Sequence, residues 1–311
     1  QKPMHGEVDS RLLRVDHTMP EPQRPTQFHG MKDGQNRLAG RDKTSGMDRI
    51  LEEMEFLARS ANRGDVLTLV ADSPHDRKAL ARETGVSQPT LGRILRDFES
   101  RNWVRATEAG YTATATGRLV AGGLSELSES LAAELHLREI SEWLPTDDLG
   151  FDLRRLGEAT ITLPTQTQPS APISRVIELI EAATRVRIFS HAFNEQTLTA
   201  VVEWVAAGGA FDGVFSATAI DAVADEPELR EQLQQLHAAD NATIEIVEGS
   251  VPLAVTVSDD TVSLLLRDEQ GHLQAAVDTD DPEIKAWATD RHDRYREAAR
   301  PLADSDLAVD K

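Results

Sequence analysis

The pattern of hydrophobic and polar positions through residues 75–114 predicts two short helices followed by a β-hairpin. The first helix is expected over Asp76–Thr84 and ends at Gly85, a residue that tolerates the positive φ of many helix ends. Ser87 suits the N-cap of the second helix. That helix buries a single apolar stripe, formed by Leu91, Ile94, Leu95 and Phe98.

Two strand-like arms, residues 103–105 and 111–113, flank a turn at 108–110 and predict the hairpin. A helix-turn-helix followed by a hairpin is a winged helix, a module that places its second helix in the DNA major groove. The pattern therefore predicts binding to double-stranded DNA. The expected contacts come from the polar helix face and the hairpin: Ser87, Gln88, Thr90, Arg93, Arg96, Arg105 and Tyr111.

The remaining pattern divides the chain into further segments. Residues 1–46 show no helical or strand period, and they predict a disordered extension, with Met47 as one candidate working start. The winged helix is expected over 47–117, a linking helix over 118–143, an α/β domain over 144–303, and a tail over 304–311. The fold class is predicted to be α+β.

The second domain alternates helices with buried strands and then runs through closely spaced strands. A closing helix is expected from Pro282 to about Ala299. This order predicts an α/β sandwich with a mixed sheet. The predicted strands are 186–189, 213–215, 243–247, 253–257, 261–266 and 273–277.

The linking helix carries a long apolar stripe, formed by Leu119, Val120, Leu124, Leu127, Leu131 and Leu135. The stripe can pack within its own chain or pair with a second copy, and the sequence leaves both open. Two-fold pairing is the usual way in which such modules read two half-sites. A homodimer is therefore the expected assembly.

The charge balance is strongly acidic: 53 Asp and Glu against 33 Lys and Arg give a net charge of −20, and only six residues are Lys. This composition is typical of salt-accumulating haloarchaea, whose molar salt screens surface repulsion. DNA binding normally requires a basic face. Between Ser87 and Arg105 four arginines outweigh two acids, about +2, which eases that tension.

Other chemistry is excluded by composition. The absence of Cys rules out disulfides and thiolate zinc sites. No apolar run approaches membrane-spanning length, so a cytoplasmic location is expected.

With both halves placed, the chain resembles the haloarchaeal winged-helix regulators of the methanogenesis-regulatory type, which couple a winged helix to a sensor domain related in fold to phospholipase D. The matching segments are Leu80–Val104, Tyr111–Val120, Val186–Asn194 and Pro282–Leu302. The resemblance implies DNA-binding transcription regulation, with an effector or partner read by the second domain.

A phospholipase-type active site needs His and Lys two residues apart, and this sequence contains no His-x-Lys. We therefore predict no enzyme activity, no cofactor and no metal. Asp259-Asp260 is better explained by a hairpin turn than by a metal site. Residues that follow a buried strand are the candidates for binding an unidentified small-molecule effector: Ser190, His191, Phe193 and Asn194. An ordinary loop with a solvated His191 is the alternative.

Two other functions stay open. One is a divergent phosphodiesterase that its winged helix targets to nucleic acid. The other is a protein-interaction module, because some winged helices bind only protein.

Overall fold

The computed structural model describes residues 36–145 and 147–308, with side chains from residue 46 onward. The chain divides into two compact units, one ending at Arg63 and one beginning at Gly64. In the first unit α1 (Asn36–Ala58) begins upstream of Met47, so the last part of the predicted disordered extension is helical. The rest of that extension, up to position 35, lies outside the described residues.

Gly64 in the sequence predicts a helix break at Arg63-Gly64, and this prediction is wrong, because α2 (Ala61–Asp72) continues through both residues. Glycine inside a helix costs only about 1 kcal/mol relative to alanine. A side chain at Gly64 would have its Cβ 3.3 Å from Leu124, so the small residue also accommodates a close neighbour. Burial of Val66, Leu67 and Val70 outweighs the weak propensity.

Two helices follow at the predicted place, α3 (Arg77–Thr84) and α4 (Gln88–Ser100). Asp76 caps α3, because its carboxylate accepts from the backbone N–H groups of Lys78 and Ala79 at 2.8 and 2.7 Å. Gly85 ends α3 with φ 67°. Ser87 occupies the N-cap position of α4, but its side chain does not cap the backbone.

The hairpin consists of β1 (Val104–Thr107) and β2 (Gly110–Ala113). It closes onto the segment before α3, where the backbones of His75 and Tyr111 exchange two hydrogen bonds of 3.0 and 2.8 Å. Gly110 is required here: its φ is 119°, and a Cβ would lie 2.4 Å from the carbonyl oxygen of His75. The hairpin is therefore fixed to the two helices.

The linking helix α5 (Ala115–Leu137) starts directly after the hairpin. The Thr114 hydroxyl accepts from the N–H of Gly117 at 3.0 Å and donates to the carbonyl of Asn102 at 2.6 Å. A Cβ at Gly117 would fall 1.9 Å from the carbonyl oxygen of Trp103. This close approach clamps the start of α5 to the hairpin.

The second domain contains one large mixed sheet, in which eight strands of the described residues have the order β10-β6-β5-β4-β7-β8-β9-β3. Strands β4, β5 and β6 are parallel, whereas β7, β8, β9 and β3 continue antiparallel from β4. The strands are β3 (Thr160–Thr162), β4 (Arg185–Ser190), β5 (Ala210–Ser216), β6 (Ala242–Val247), β7 (Ala254–Ser258), β8 (Thr261–Arg267), β9 (Leu273–Thr279) and β10 (Arg300–Pro301).

Helices cover both faces of the sheet. One core lies between the sheet and a helical layer that includes α6, α7, α8 and α9, and it contains Ile188, Phe215 and Leu265. The other core lies on the face covered by α10 and contains Phe189, Val214 and Leu264. Neighbouring residues alternate between the cores as the pleat requires. These helices are α6 (Ala171–Ala182), α7 (Glu195–Ala206), α8 (Ala217–Asp225), α9 (Pro227–His237) and α10 (Pro282–Ala298).

The predicted α+β class with a C-terminal mixed sheet is confirmed. Short 3-10 helices at Arg138–Trp143, Leu153–Leu156 and Asp304–Leu307 complete the described elements. Among the helices of residues 36–145 and 147–308, none is both long enough and apolar enough to cross a membrane.

Candidate functional site

The exposed face of α4 carries two unpaired cations. Arg93 and Arg96 are exposed on the side opposite to the buried stripe of Leu91, Ile94 and Leu95. Neither arginine forms a salt bridge with an acidic side chain within the described part of the chain. Both guanidinium groups therefore keep their charge and their donors available for an anionic partner.

The predicted contacts at the start of α4 have structural roles as well. The Gln88 amide donates to the carbonyl of Arg77 at 3.2 Å, and Arg77 donates back to the carbonyl of Gln88 at 3.3 Å. Ser87 donates to the hydroxyl of half-buried Thr90 at 3.0 Å. A Cβ at Gly92 would meet the Arg77 guanidinium at 2.4 Å, so that side chain lies across the helix.

The two hairpin residues differ in exposure. Arg105 is exposed on β1 and pairs in register with Thr112. Tyr111 is half-buried, and its backbone bonds with His75 hold the hairpin in place. The exposed arginines of α4 and β1 thus belong to one rigid framework of two helices and a hairpin.

The second predicted site lies at the carboxyl end of β4. Strand β4 ends at Ser190, between the parallel strand β5 and the antiparallel strand β7. Three of the four predicted effector residues, Ser190, Phe193 and Asn194, line a cavity of about 50 Å³ there. His191 is not among its lining residues, although it lies in the same loop.

Local hydrogen bonds fix this loop. Ser190 donates to the carbonyl of Ala192 at 2.7 Å. The side-chain oxygen of Asn194 accepts from the backbone N–H of Thr197 at 3.1 Å and so caps α7. The Phe193 ring stacks on Phe215 with 4.3 Å between centroids. The cavity wall is therefore preformed.

His191 is half-buried in its loop. Burial lowers the pKa of His191, and the nearby positive charge of Arg267 lowers it further. The backbone of Val251 acts in the opposite direction and raises the pKa of His191. The Nδ1 atom of His191 is buried without a partner among the described residues.

Arg267, at the end of β8, is the cavity residue that sequence reasoning missed. Its Nη1 group donates to the carbonyl of Gly271 at 2.8 Å, but its Nε–H is buried and has no acceptor in the described residues. Burial lowers the pKa of Arg267. The sequence could have indicated which face of the sheet Arg267 occupies. Arg267 lies two residues after Leu265, and residues two apart in a strand share a face.

A second buried polar cluster lies on the other face of the sheet. Asp212 of β5 accepts from Arg296 at 3.3 Å, and fully buried His292 of α10 lies 3.2 Å from the Asp212 carbonyl oxygen. Burial raises the pKa of neighbouring Glu245, and the Asp212 charge adds to the rise. These contacts tie α10 to the sheet. No group of three His, Asp or Glu side chains suited to a metal occurs among the described residues.

Two family models match separate parts of the sequence. The model of the methanogenesis regulatory protein FilR1, middle domain, matches residues 169–298, and the HVO_A0261 N-terminal domain matches residues 51–136. The chain is thus similar to a methanogenesis regulatory protein over its second domain, and this match supports a transcriptional regulator. No curated protein sequence matches the chain.

Solved structures show only weak similarity. An archaeal chromatin protein, TrmBL2, is 13% identical and covers 81% of this chain and 99% of its own, with a TM-score of 0.36. NucT from Helicobacter pylori is 14% identical over 46% of this chain and 98% of its own, with a TM-score of 0.37. Nuc from Salmonella typhimurium, a phospholipase D family member, is 13% identical over the same shares, with a TM-score of 0.38. TM-scores this low do not establish a function.

Proposed function

We propose that the chain is a DNA-binding transcriptional regulator of the haloarchaeal type, whose winged helix reads a promoter. The observation that carries the proposal is the pair of exposed, unpaired arginines on α4, Arg93 and Arg96, held by a helix-turn-helix and a hairpin. In a winged helix this face enters the major groove. The match to a regulatory family supports the same function, and such a protein works in the cytoplasm, where its DNA is.

The assembly proposed for this function is a homodimer formed through α5. Four leucines of that helix are exposed, from 43% for Leu127 to 76% for Leu119, and Leu131 and Leu135 lie between these values. A row of exposed leucines is costly on a monomer, and a second copy would cover it. Sedimentation equilibrium in molar KCl should give twice the chain mass, and a monomer at micromolar concentration would exclude this assembly.

The second domain is proposed to sense an effector at the carboxyl end of β4. The cavity beside Ser190, Phe193 and Asn194 supports this role, since α/β sheets bind ligands outside the carboxyl ends of their strands. Relation of this domain to the phospholipase D fold remains part of the proposal.

Genome-wide occupancy of the tagged protein in its native salt tests the DNA function. We expect discrete peaks for the wild type and their loss in Arg93→Ala/Arg96→Ala, because each arginine–base contact is worth about 1–3 kcal/mol. The matched control is Arg138→Ala/Arg294→Ala, which removes the same charge from side chains that are 62% and 70% exposed in other regions. The control should keep the peaks.

Three outcomes would redirect the proposal. Absence of peaks for every variant, with intact folding, favours the protein-interaction module. Equal loss of peaks in both double variants would show that net charge, not the α4 face, determines occupancy. Hydrolysis of a generic phosphodiester by the purified chain would favour the divergent phosphodiesterase.

A further inference from the structure

The cavity at the end of β4 has an unusual combination of lining groups. Most of its wall is apolar and comes from both helices and strands, including Val176, Leu198, Val201, Phe211 and Leu265. At one place the wall contains the charged side chain of Arg267. The volume of about 50 Å³ exceeds the roughly 10–15 Å³ that one water needs. The space suits a molecule of only a few non-hydrogen atoms.

Arg267 is half-buried and lacks the acidic partner that a partly buried guanidinium commonly has. Charges removed from water are usually paired with an opposite charge or fully hydrogen-bonded. Within the described residues no Asp or Glu lies within salt-bridge distance of Arg267, and its buried Nε–H has no acceptor. By contrast, Arg175 on the neighbouring helix is bonded to Asp278 through two nitrogens. Of these two partly buried arginines, Arg175 thus has an acidic partner, whereas Arg267 has none among the described residues.

The backbone near Arg267 keeps this donor in place. The β8–β9 ladder shifts register between Leu266 and Arg267, a bulge of the kind that re-aims a side chain at a strand end. The carbonyl of Gly271 holds Nη1 from the outer side. The open Nε–H donor is therefore positioned rather than free to rotate into solvent.

We propose that this cavity binds a short-chain organic monocarboxylate, whose carboxylate pairs with Arg267 and whose apolar group fills the space between α6, α7 and the sheet. Guanidinium and carboxylate form two parallel hydrogen bonds of matching geometry. The ligand supplies the negative charge that the chain itself does not place there. This inference rests on the effector-sensing role proposed for the second domain and gives that effector a chemical class.

The lining favours a carboxylate with an apolar group over an inorganic anion. Phosphate or sulfate would place some of its remaining oxygens against the side chains of Val201, Phe211 and Leu236, which carry no hydrogen-bond donor to replace lost water. A short alkyl group gains from the same contacts at about 0.8 kcal/mol per buried CH₂. Large aromatic or long-chain acids exceed the cavity.

Titration calorimetry of the full chain in molar KCl tests the proposal, with butyrate as the probe. We expect butyrate to bind, butanamide to bind at least about tenfold more weakly because it lacks the charge, and inorganic phosphate to give no saturable heat. Arg267→Gln should lower butyrate affinity about tenfold or more. It should leave the unfolding midpoint unchanged or higher, because it removes an unpaired buried cation. Arg294→Gln, an exposed arginine elsewhere, is the control and should bind like the wild type.

A second variant tests the apolar end of the cavity. Ala254→Val narrows the space with a residue that strands accept, and it should weaken butyrate binding more than acetate binding. Equal affinity of wild type and Arg267→Gln for butyrate would overturn the proposal, and so would equal affinity for butyrate and butanamide. Saturable phosphate binding that displaces butyrate would replace it with a general anion site.

The carboxylate site and the DNA-binding function can be refuted independently of each other. Calorimetry detects the ligand without DNA, and occupancy on DNA is measured without added ligand. Absence of butyrate binding with normal DNA peaks refutes only the carboxylate site. Butyrate binding without any DNA peaks refutes only the regulator.

Discussion

Replacing Arg175 with alanine should destabilise the second domain strongly, because it leaves Asp278 buried without its partner. Two nitrogens of Arg175 donate to the Asp278 carboxylate at 3.1 and 2.9 Å, and the Asp278 side chain is only 5% exposed. The pair holds α6 against β9. Removal of one partner of a buried ion pair costs about 3–5 kcal/mol. Because Arg175 is 33% exposed, water reaches the site, and we expect the lower end, about 3 kcal/mol.

Replacing Asp278 instead of Arg175 should lower the free energy of unfolding less. In Asp278→Asn the arginine keeps both access to water and a contact with Glu178 at 3.3 Å, so we expect a loss of about 1–2 kcal/mol. The double variant should lose less than the sum of the two single variants, since it leaves no buried charge. Guanidinium unfolding of all four proteins at one salt concentration measures these values. A loss below about 1 kcal/mol for Arg175→Ala, or strict additivity, would refute the reasoning.

Two further predictions concern pH and salt. Burial lowers the pKa of His292 below its ordinary value of 6.5, so the unfolded chain binds a proton first and stability falls as the pH drops below about 6.5. His292→Gln should therefore lose less of its unfolding free energy than the wild type between about pH 7 and pH 5, and an equal loss in both would contradict this. The net charge of −20 predicts that raising KCl from about 0.1 M to about 1 M raises the unfolding midpoint, because the Debye length shortens from about 10 Å to about 3 Å. A midpoint that stays constant or falls would contradict the halophilic interpretation.

The periodicity of apolar residues and the positions of turn-forming residues predicted most elements of the second domain. Strands β7, β8 and β9 appear within a residue or two of the expected positions, and α10 ends at Ala298. The Asp259-Asp260 turn was also identified, since Asp259 adopts φ 49° and accepts from the backbone of Thr184 and Arg185. These features are determined by the local sequence, so the sequence pattern was sufficient to predict them.

The elements that were missed depend on contacts the sequence does not display. Helix α8 follows directly from β5, capped by Ser216, and its short alanine-rich run contains few large apolar side chains from which a helical period could be recognised. Strand β10 contains only Arg300 and Pro301 and exists through its pairing with β6. The Ser87 cap was also wrong: the Ser87 hydroxyl donates to that of Thr90 at 3.0 Å and accepts no backbone N–H of the helix.

The cavity could not be assembled from sequence because it depends on strand order. Ser190 and Arg267 line the same cavity only because β7 lies between β4 and β8 and is antiparallel to both. In this register Phe189 lies opposite Val255, and Val255 lies opposite Leu264. Alternation places Arg267 on the face of Leu265, but it does not reveal which strand lies beside that face. The unmatched charge of Arg267 was therefore invisible until the sheet was known.

Helix α5 packs at one end against the hairpin and at the other end into the core on the α10 face of the sheet, the face opposite to the cavity. Its first turn is clamped to the hairpin where Gly117 meets the backbone of Trp103. Its last residue, Leu137, belongs to the apolar core beneath the sheet, together with Ile140 and Leu156. A change in packing on the sheet therefore acts on one end of a helix whose other end positions the hairpin. Since the leucines exposed on α5 are also the proposed dimer contact, packing on the α10 face of the sheet, rather than the cavity itself, would act on the spacing proposed for two DNA-reading helices.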